Sequence, residues 1–330
     1  MHLFIDTNIL LSFYHLSGDD LEELRKLLVL LDKRRVTLLI TEQVEDEFRR
    51  NRDVKIADAL KRLRDVKLNP QFPQMAKDYS EYGDLRKLQR DFERLQQALL
   101  DRLGSDIKAQ SLKADELIED LFQKATCLPR DAALLARARL RQDVGNPPGK
   151  EGSLGDAINW ESLLEHVPDD QDLHLVTDDR DFASALDDES LHPFLGTEWD
   201  RTRTSHIYFY KRLSDFFRRH FAHIRLAHEL EKDLLISDLA ASGTFAQTHA
   251  TIAKLASFAD FTATQADAIA LAAASNNQVY WIATDSDVFS VLSDVATRYA
   301  SQIDPHHLRL LLDLLNQPPT SDEPAGEPLF

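Results

Sequence analysis

The stretch MHLFIDTNILL, residues 1–11, sets an aspartate directly behind a short apolar run. Leu3, Phe4 and Ile5 read as a buried strand, and Asp6-Thr7-Asn8 breaks it where the core ought to continue. An aspartate in that place is either a turn residue bonding its own loop or a carboxylate positioned to hold something. The choice depends on whether other carboxylates occupy equivalent places further along the chain.

They do. RVTLLIT (35–41) predicts a second, fully buried strand, and Thr41 caps a helix through QVEDEFRRNRDVKIADALKRLRDV, which contains Glu47. Asp156 opens a helix, DAINWESLLEH, after the Gly- and Pro-rich loop 143–155. HLVT (174–177) predicts a third strand, and DDRDFASAL after it a turn and helix containing Asp179 and Asp181. Strands alternating with helices in this order predict an α/β fold with a parallel sheet. The carboxyl ends of such strands face one crevice. Carboxylates gathered there repel one another, and a hard divalent cation relieves the repulsion. Mg²⁺ and Mn²⁺ accept oxygen ligands of this kind. With no His or Cys ligand pattern nearby, the chemistry points to phosphate rather than to zinc hydrolysis.

The rest of the 330 residues bounds this reading. The composition is that of a globular protein, 43% hydrophobic and 29% charged, with no apolar tract of membrane-spanning length and no signal-peptide plan. A single cysteine, Cys127, excludes an internal disulfide. A cytoplasmic location is expected. A net charge of −17 argues against nucleic-acid binding by the whole surface, yet Phe48–Gln142 holds 21 Lys/Arg against 15 Asp/Glu. A helix is expected over 19–33, with Asp19 near its start. Leu85, Leu88, Phe92, Leu95 and Leu99 recur at three- and four-residue steps and suggest a helical hairpin. From about His220 the chain turns helical and Ala-rich, with one strand-like run, VYWIAT (279–284). The tail QPPTSDEPAGEPLF is expected to be disordered. The expected layout is 1–215 with a helical insertion at 50–140, a mainly helical domain at 220–316, and the tail 317–330.

FIDTNILLSF (4–13), TEQVEDEF (41–48), SLGDAINW (153–160) and LVTDDRDF (175–182) resemble, in order, the four acidic motifs of the PIN-domain family. The resemblance covers roughly residues 1–200. It implies a three-layer α/β/α sandwich and a nuclease, acting mostly on RNA, that uses one or two Mg²⁺ or Mn²⁺ ions. Carried over by position, Asp6 would be the central metal ligand, Glu47, Asp156 and Asp179 would hold the ions with it as the catalytic set, and Asp181 would be a further ligand. Thr7, Asn8 and Thr177 would shape the site, and Asp178 would be a surface neighbour. No family is recognised for the C-terminal part.

Each residue also has a plainer reading. Asp156 could be a helix cap and nothing more, and Asp178, Asp179 and Asp181 caps or turn residues. Glu47 sits among Glu45, Asp46 and Arg49 on what could be a solvated helix face, and Ser153 is expected in a cap region. Arg49, Arg50, Arg52, Lys55 and Lys150 could track a nucleic-acid backbone by charge or simply be hydrated. The case rests on the set. It favours an endoribonuclease, with a structure-specific DNA nuclease and a catalytically weak binding module as rivals, and a toxin role less favoured. Nucleic acid is the expected partner, a protein partner or antidote through the C-terminal domain is left open, and so is a homodimer.

Overall fold

Five short apolar strands pair in parallel: β1 (His2–Ile5), β2 (Thr37–Thr41), β3 (Thr126–Leu128), β4 (Leu173–Val176) and β5 (Ile207–Tyr210). Their order across the sheet is β3-β2-β1-β4-β5. Leu3 lies opposite Leu38 on one side and His174 on the other, and Phe4 opposite Leu39 and Leu175. Every residue of β4 is buried, as are Leu3, Phe4 and Ile5 of β1, which explains why these strands read as continuous apolar runs. The order reverses at β1, so the β1/β4 boundary is the switch point where such sheets open a crevice. This computed structural model describes residues 1–15, 19–68, 71–149, 153–222, 224 and 226–316. Lys150 and the tail 317–330 lie outside them.

The chain divides into two compact units, Met1–His223 and Ile224–Phe330. In the first, the helices are α1 (Thr7–Ser12), α2 (Leu21–Asp32), α3 (Glu42–Asp65), α4 (Ser80–Ala109), α5 (Lys113–Lys124), α6 (Ala132–Asp143), α7 (Gly155–His166), α8 (Pro193–Thr202) and α9 (Leu213–His220). Helix α2 packs with α5 and α9, which reach β2 and β4–β5. Helix α3 packs with α1 and α7, and α7 with α6. The outcome is the α/β sandwich expected, followed by a helical C-terminal unit.

Particular elements depart from expectation. Asp20, not Asp19, caps α2, accepting from the Glu22 amide at 2.6 Å; Asp19 instead accepts from the amides of Leu213 and Ser214 at the start of α9. No helix follows β4 directly. Asp179 Oδ1 accepts from the Asp181 amide at 3.0 Å and holds a turn, and Ala183 then bridges to Leu191 before α8 begins. Helix α4 is one continuous 30-residue helix lying beside α3, where Gln96 donates to the carbonyls of Leu63 and Val66. Its Leu85, Leu88, Leu95 and Leu99 are exposed rather than packed in the hairpin.

The second unit contains α10 (Ala227–Ala240), α11 (Phe245–Leu255), α12 (Ala263–Ser275), α13 (Asn277–Trp281), α14 (Ser286–Arg298) and α15 (Pro305–Leu315). Its core joins Leu239, Ile252, Ile269, Val279, Leu292 and Leu311. The run VYWIAT is therefore not a strand. Asn276 caps α13 through the Gln278 amide at 2.7 Å, and Val279 is fully buried against helices rather than beside another strand. Among the described residues no helix is long and apolar enough to cross a membrane.

Candidate active site

Asp6 follows the last residue of β1 and is the N-cap of α1, its Oδ1 accepting from the Thr7 amide at 2.7 Å. Its own amide bonds the carbonyl of Val176, so the ends of β1 and β4 are fastened together at the switch point. Oδ2 accepts from the Thr177 hydroxyl at 2.6 Å and from Asn8 Nδ2 at 3.0 Å. Asn8 Nδ2 also donates to Thr177 Oγ1, and Asn8 Oδ1 accepts from the Asp178 amide. Thr7 and Asn8 thus shape the loop, and Asp178 itself is exposed.

Burial is the main force on Asp6. It pushes the carboxyl up to about 6, and the nearby negative charges of Glu47 and Asp179 add to the rise, against the Thr177 and Thr7 hydrogen bonds. Both carboxylates therefore lie within electrostatic reach of Asp6.

Glu47 stands on the second turn of α3, which Thr41 begins by accepting from the Val44 amide at 3.0 Å. The same Thr41 hydroxyl donates to Asn159 on α7 at 2.6 Å, fixing α3 against the helix that carries Asp156. The two helices meet at Gly155. A Cβ there would lie 3.1 Å from Glu47 Oε2 and 3.2 Å from Gln43 Nε2, so a side chain at 155 would press on Glu47. Asp156 is not the cap of α7 but sits in its first turn, after Leu154.

Asp156, Asp179 and Asp181 each place a carboxylate oxygen within 4.8 Å of the other two. This separation and all-oxygen donor set suit Mg²⁺ or Mn²⁺, which bind through carboxylates and retain waters. Asp6 and Glu47 are not members of that tight group among the described residues. Asp6 is a buried carboxylate tied down by its hydrogen-bond donors, within electrostatic reach of Asp179 and Glu47.

The cations expected to track nucleic acid are placed unevenly. Arg52 is buried, its guanidinium making two bonds to Asp115 and a third to Asp53, so it pins α3 to α5 rather than facing solvent. Arg49 pairs with Glu45 one turn back, Arg50 is exposed and Lys55 is half-buried. Ser153 is exposed and its carbonyl accepts from Gln142.

Two arginines near the site escaped sequence reasoning. Arg130 bonds Gln43 and Asp46 at 2.8 Å each, with its amide on Glu42, and braces the first turns of α3. Arg141, on α6, is buried and donates to Glu161 on α7 at 2.8 Å, to Glu198 on α8 at 2.6 Å and to the Pro147 carbonyl at 2.6 Å. Trp160 completes the network with a 2.7 Å bond to Glu198. Arg130 lies in the loop between β3 and α6, and Arg141 reads as one more arginine along a helix, so neither carries a signal in the sequence.

A family model described as PIN domain matches residues 3–182, more than half of the chain. The chain belongs to the PIN-domain family. No curated protein and no solved structure matches it. PIN domains are generally nucleases, so the carboxylates of this PIN domain stand in a fold of nuclease type. The match ends at Phe182, directly after the last of the clustered aspartates, and so spans all four acidic motifs.

Proposed function

We propose that this protein is a metal-dependent endonuclease that hydrolyses phosphodiester bonds, with RNA as its substrate. The observation that carries the reading is the convergence of Asp156, Asp179 and Asp181 to within 4.8 Å in a PIN domain, with buried Asp6 beside them. Asp156, Asp179 and Asp181 would hold Mg²⁺ or Mn²⁺. Such an ion, when bound, activates water and neutralises charge building up on the phosphate. The chain's own groups do the rest. Thr177 and Asn8 hold Asp6 in one orientation, so its charge is presented without side-chain reorganisation. Gln43 and Gly155 leave Glu47 its place between α3 and α7. Exposed Arg50 offers the substrate backbone a cation, and the C-terminal unit would select substrate or partner.

Competition between matched, end-labelled RNA and DNA strands with Mn²⁺ tests the choice of polymer. RNA products with 3′-hydroxyl and 5′-phosphate ends, formed in preference to DNA products, are expected. Equal or preferential cutting of DNA would replace this substrate with a structured DNA. Binding without cleavage of either would leave a PIN fold that serves as a binding module.

A further inference from the structure

Helix α4 has 30 residues and not one of them is buried. Helices of globular proteins owe most of their stability to packing of an apolar face. Here that face is present and uncovered: Leu85, Leu88, Leu95 and Leu99 are 46%, 61%, 61% and 48% exposed. With half-buried Phe92 between them, they stand at alternating steps of three and four residues, the spacing of a coiled-coil seam. Val66, whose carbonyl is bonded by Gln96, extends the apolar surface at 50% exposure, and Leu68 follows at 42%.

We propose that this seam is where a second copy of the chain docks, the two α4 helices packing antiparallel about a two-fold axis. A two-fold interface must be self-complementary, and an a/d seam run antiparallel against itself meets that demand. Leu88 then faces Leu99 of the second copy, and Phe92 faces its Leu95. Charge agrees with a like partner. The chain carries −17, but α4 carries six basic and six acidic residues that cancel, so two copies meet there without net repulsion. A helix of this length is about 45 Å long and about 10 Å across, so its whole face covers roughly 450 Å². That is short of the about 800 Å² per partner of a stable dimer and belongs to a weak, concentration-dependent one.

Sedimentation velocity of the full chain from about 1 to 100 µM, the usual range for weak to moderate dimers, tests this directly. A concentration-dependent dimer is expected for the wild type, and a monomer for the double variant Leu88→Glu, Leu95→Glu. Circular dichroism of that variant should keep its helical signal, since both positions are exposed. Oxidation in a Cys127→Ser background gives the orientation: Leu88→Cys chains should cross-link with Leu99→Cys chains in a mixture and not with themselves. A wild type that remains monomeric, as it would if another protein covers the seam, overturns the proposal. So does a dimer that survives the two glutamates, or one in which Leu88→Cys links only to itself.

Discussion

The Thr177 hydroxyl donates to Asp6 Oδ2 at 2.6 Å across 171 residues of sequence, and the same oxygen accepts from Asn8 Nδ2 and from the Asp179 amide at 3.1 Å each. One hydroxyl therefore ties the first acidic motif to the last. Thr177→Val keeps the shape and deletes the donor. Buried Asp6 then loses a hydrogen bond to its charged form, and two donors lose their acceptor. Cleavage should fall by about 10- to 100-fold, as for outer-shell partners of metal ligands. Chemical denaturation should show a loss of about 1–3 kcal/mol. Unchanged cleavage kinetics would show that the tie has no part in activity.

Gly155 has a different constraint, close approach rather than backbone conformation. Gly155→Ala puts a methyl 3.1 Å from Glu47 Oε2 and 3.2 Å from Gln43 Nε2. Because alanine favours a helix over glycine by about 1 kcal/mol, the fold should tolerate it. The expected result is a melting temperature within a few degrees of wild type and a clear fall in cleavage rate. Full activity in Gly155→Ala would argue that the position of Glu47 is not critical.

Asp6 predicts a particular dependence on pH. Its folded value of about 6 lies above the ordinary 3.8 because of burial first and neighbouring carboxylates next. The folded chain therefore holds more protons than the unfolded chain between these values. Its stabilising contribution is complete below pH 4 and is lost as pH rises through about 6. His174, lowered to about 4 by burial, acts oppositely, since stability from keeping it neutral is lost as pH falls below 6.5. Comparing wild type with Asp6→Asn cancels the histidine. In chelator, melting of wild type should fall relative to Asp6→Asn as pH rises from 4.5 to 7, and Mn²⁺ at pH 7, held by Asp156, Asp179 and Asp181, should raise both proteins. Parallel melting curves for the two proteins across this range would contradict the account.

The parts of this molecule differ in how far they could be read beforehand. The strand ends and the acidic residues behind them were legible, because fully buried β1 and β4 show as unbroken apolar runs. Strand β3 was missed: it is three residues long, and Thr126 and Cys127 are exposed at the sheet edge. VYWIAT misled because its β-branched and aromatic residues fit a strand, while tertiary packing and the Asn276 cap decide for a helix. The seam of α4 was visible as a stripe, but a stripe does not say what it faces. The tight grouping of Asp181 with Asp156, and the place of Asp6 beside rather than within it, needed coordinates.

Arg141 illustrates the same limit and gives a further prediction. In ARARLRQD it looks like one more arginine on a hydrated helix, yet it is buried with bonds to three separate segments. Arg141→Met leaves Glu161 and Glu198 short of a partner in the interior. Removing one member of a buried ionic network costs about 3–5 kcal/mol. Urea denaturation should show a loss of that order, and cleavage should fall with it as α7 and its Asp156 lose their brace. A loss below about 1 kcal/mol would place the network among ordinary surface pairs.

The claim that orders all of this is that Asp156, Asp179 and Asp181 hold the ion that cleavage needs. Its most direct test is Mn²⁺-dependent cleavage of end-labelled RNA by the full chain, wild type beside Asp179→Asn purified in parallel, with Mn²⁺ binding followed by calorimetry on both. The account predicts cleavage by the wild type that chelator abolishes, and a variant that is folded, binds Mn²⁺ far more weakly and does not cut. Equal cleavage or equal Mn²⁺ affinity in the two proteins would contradict it.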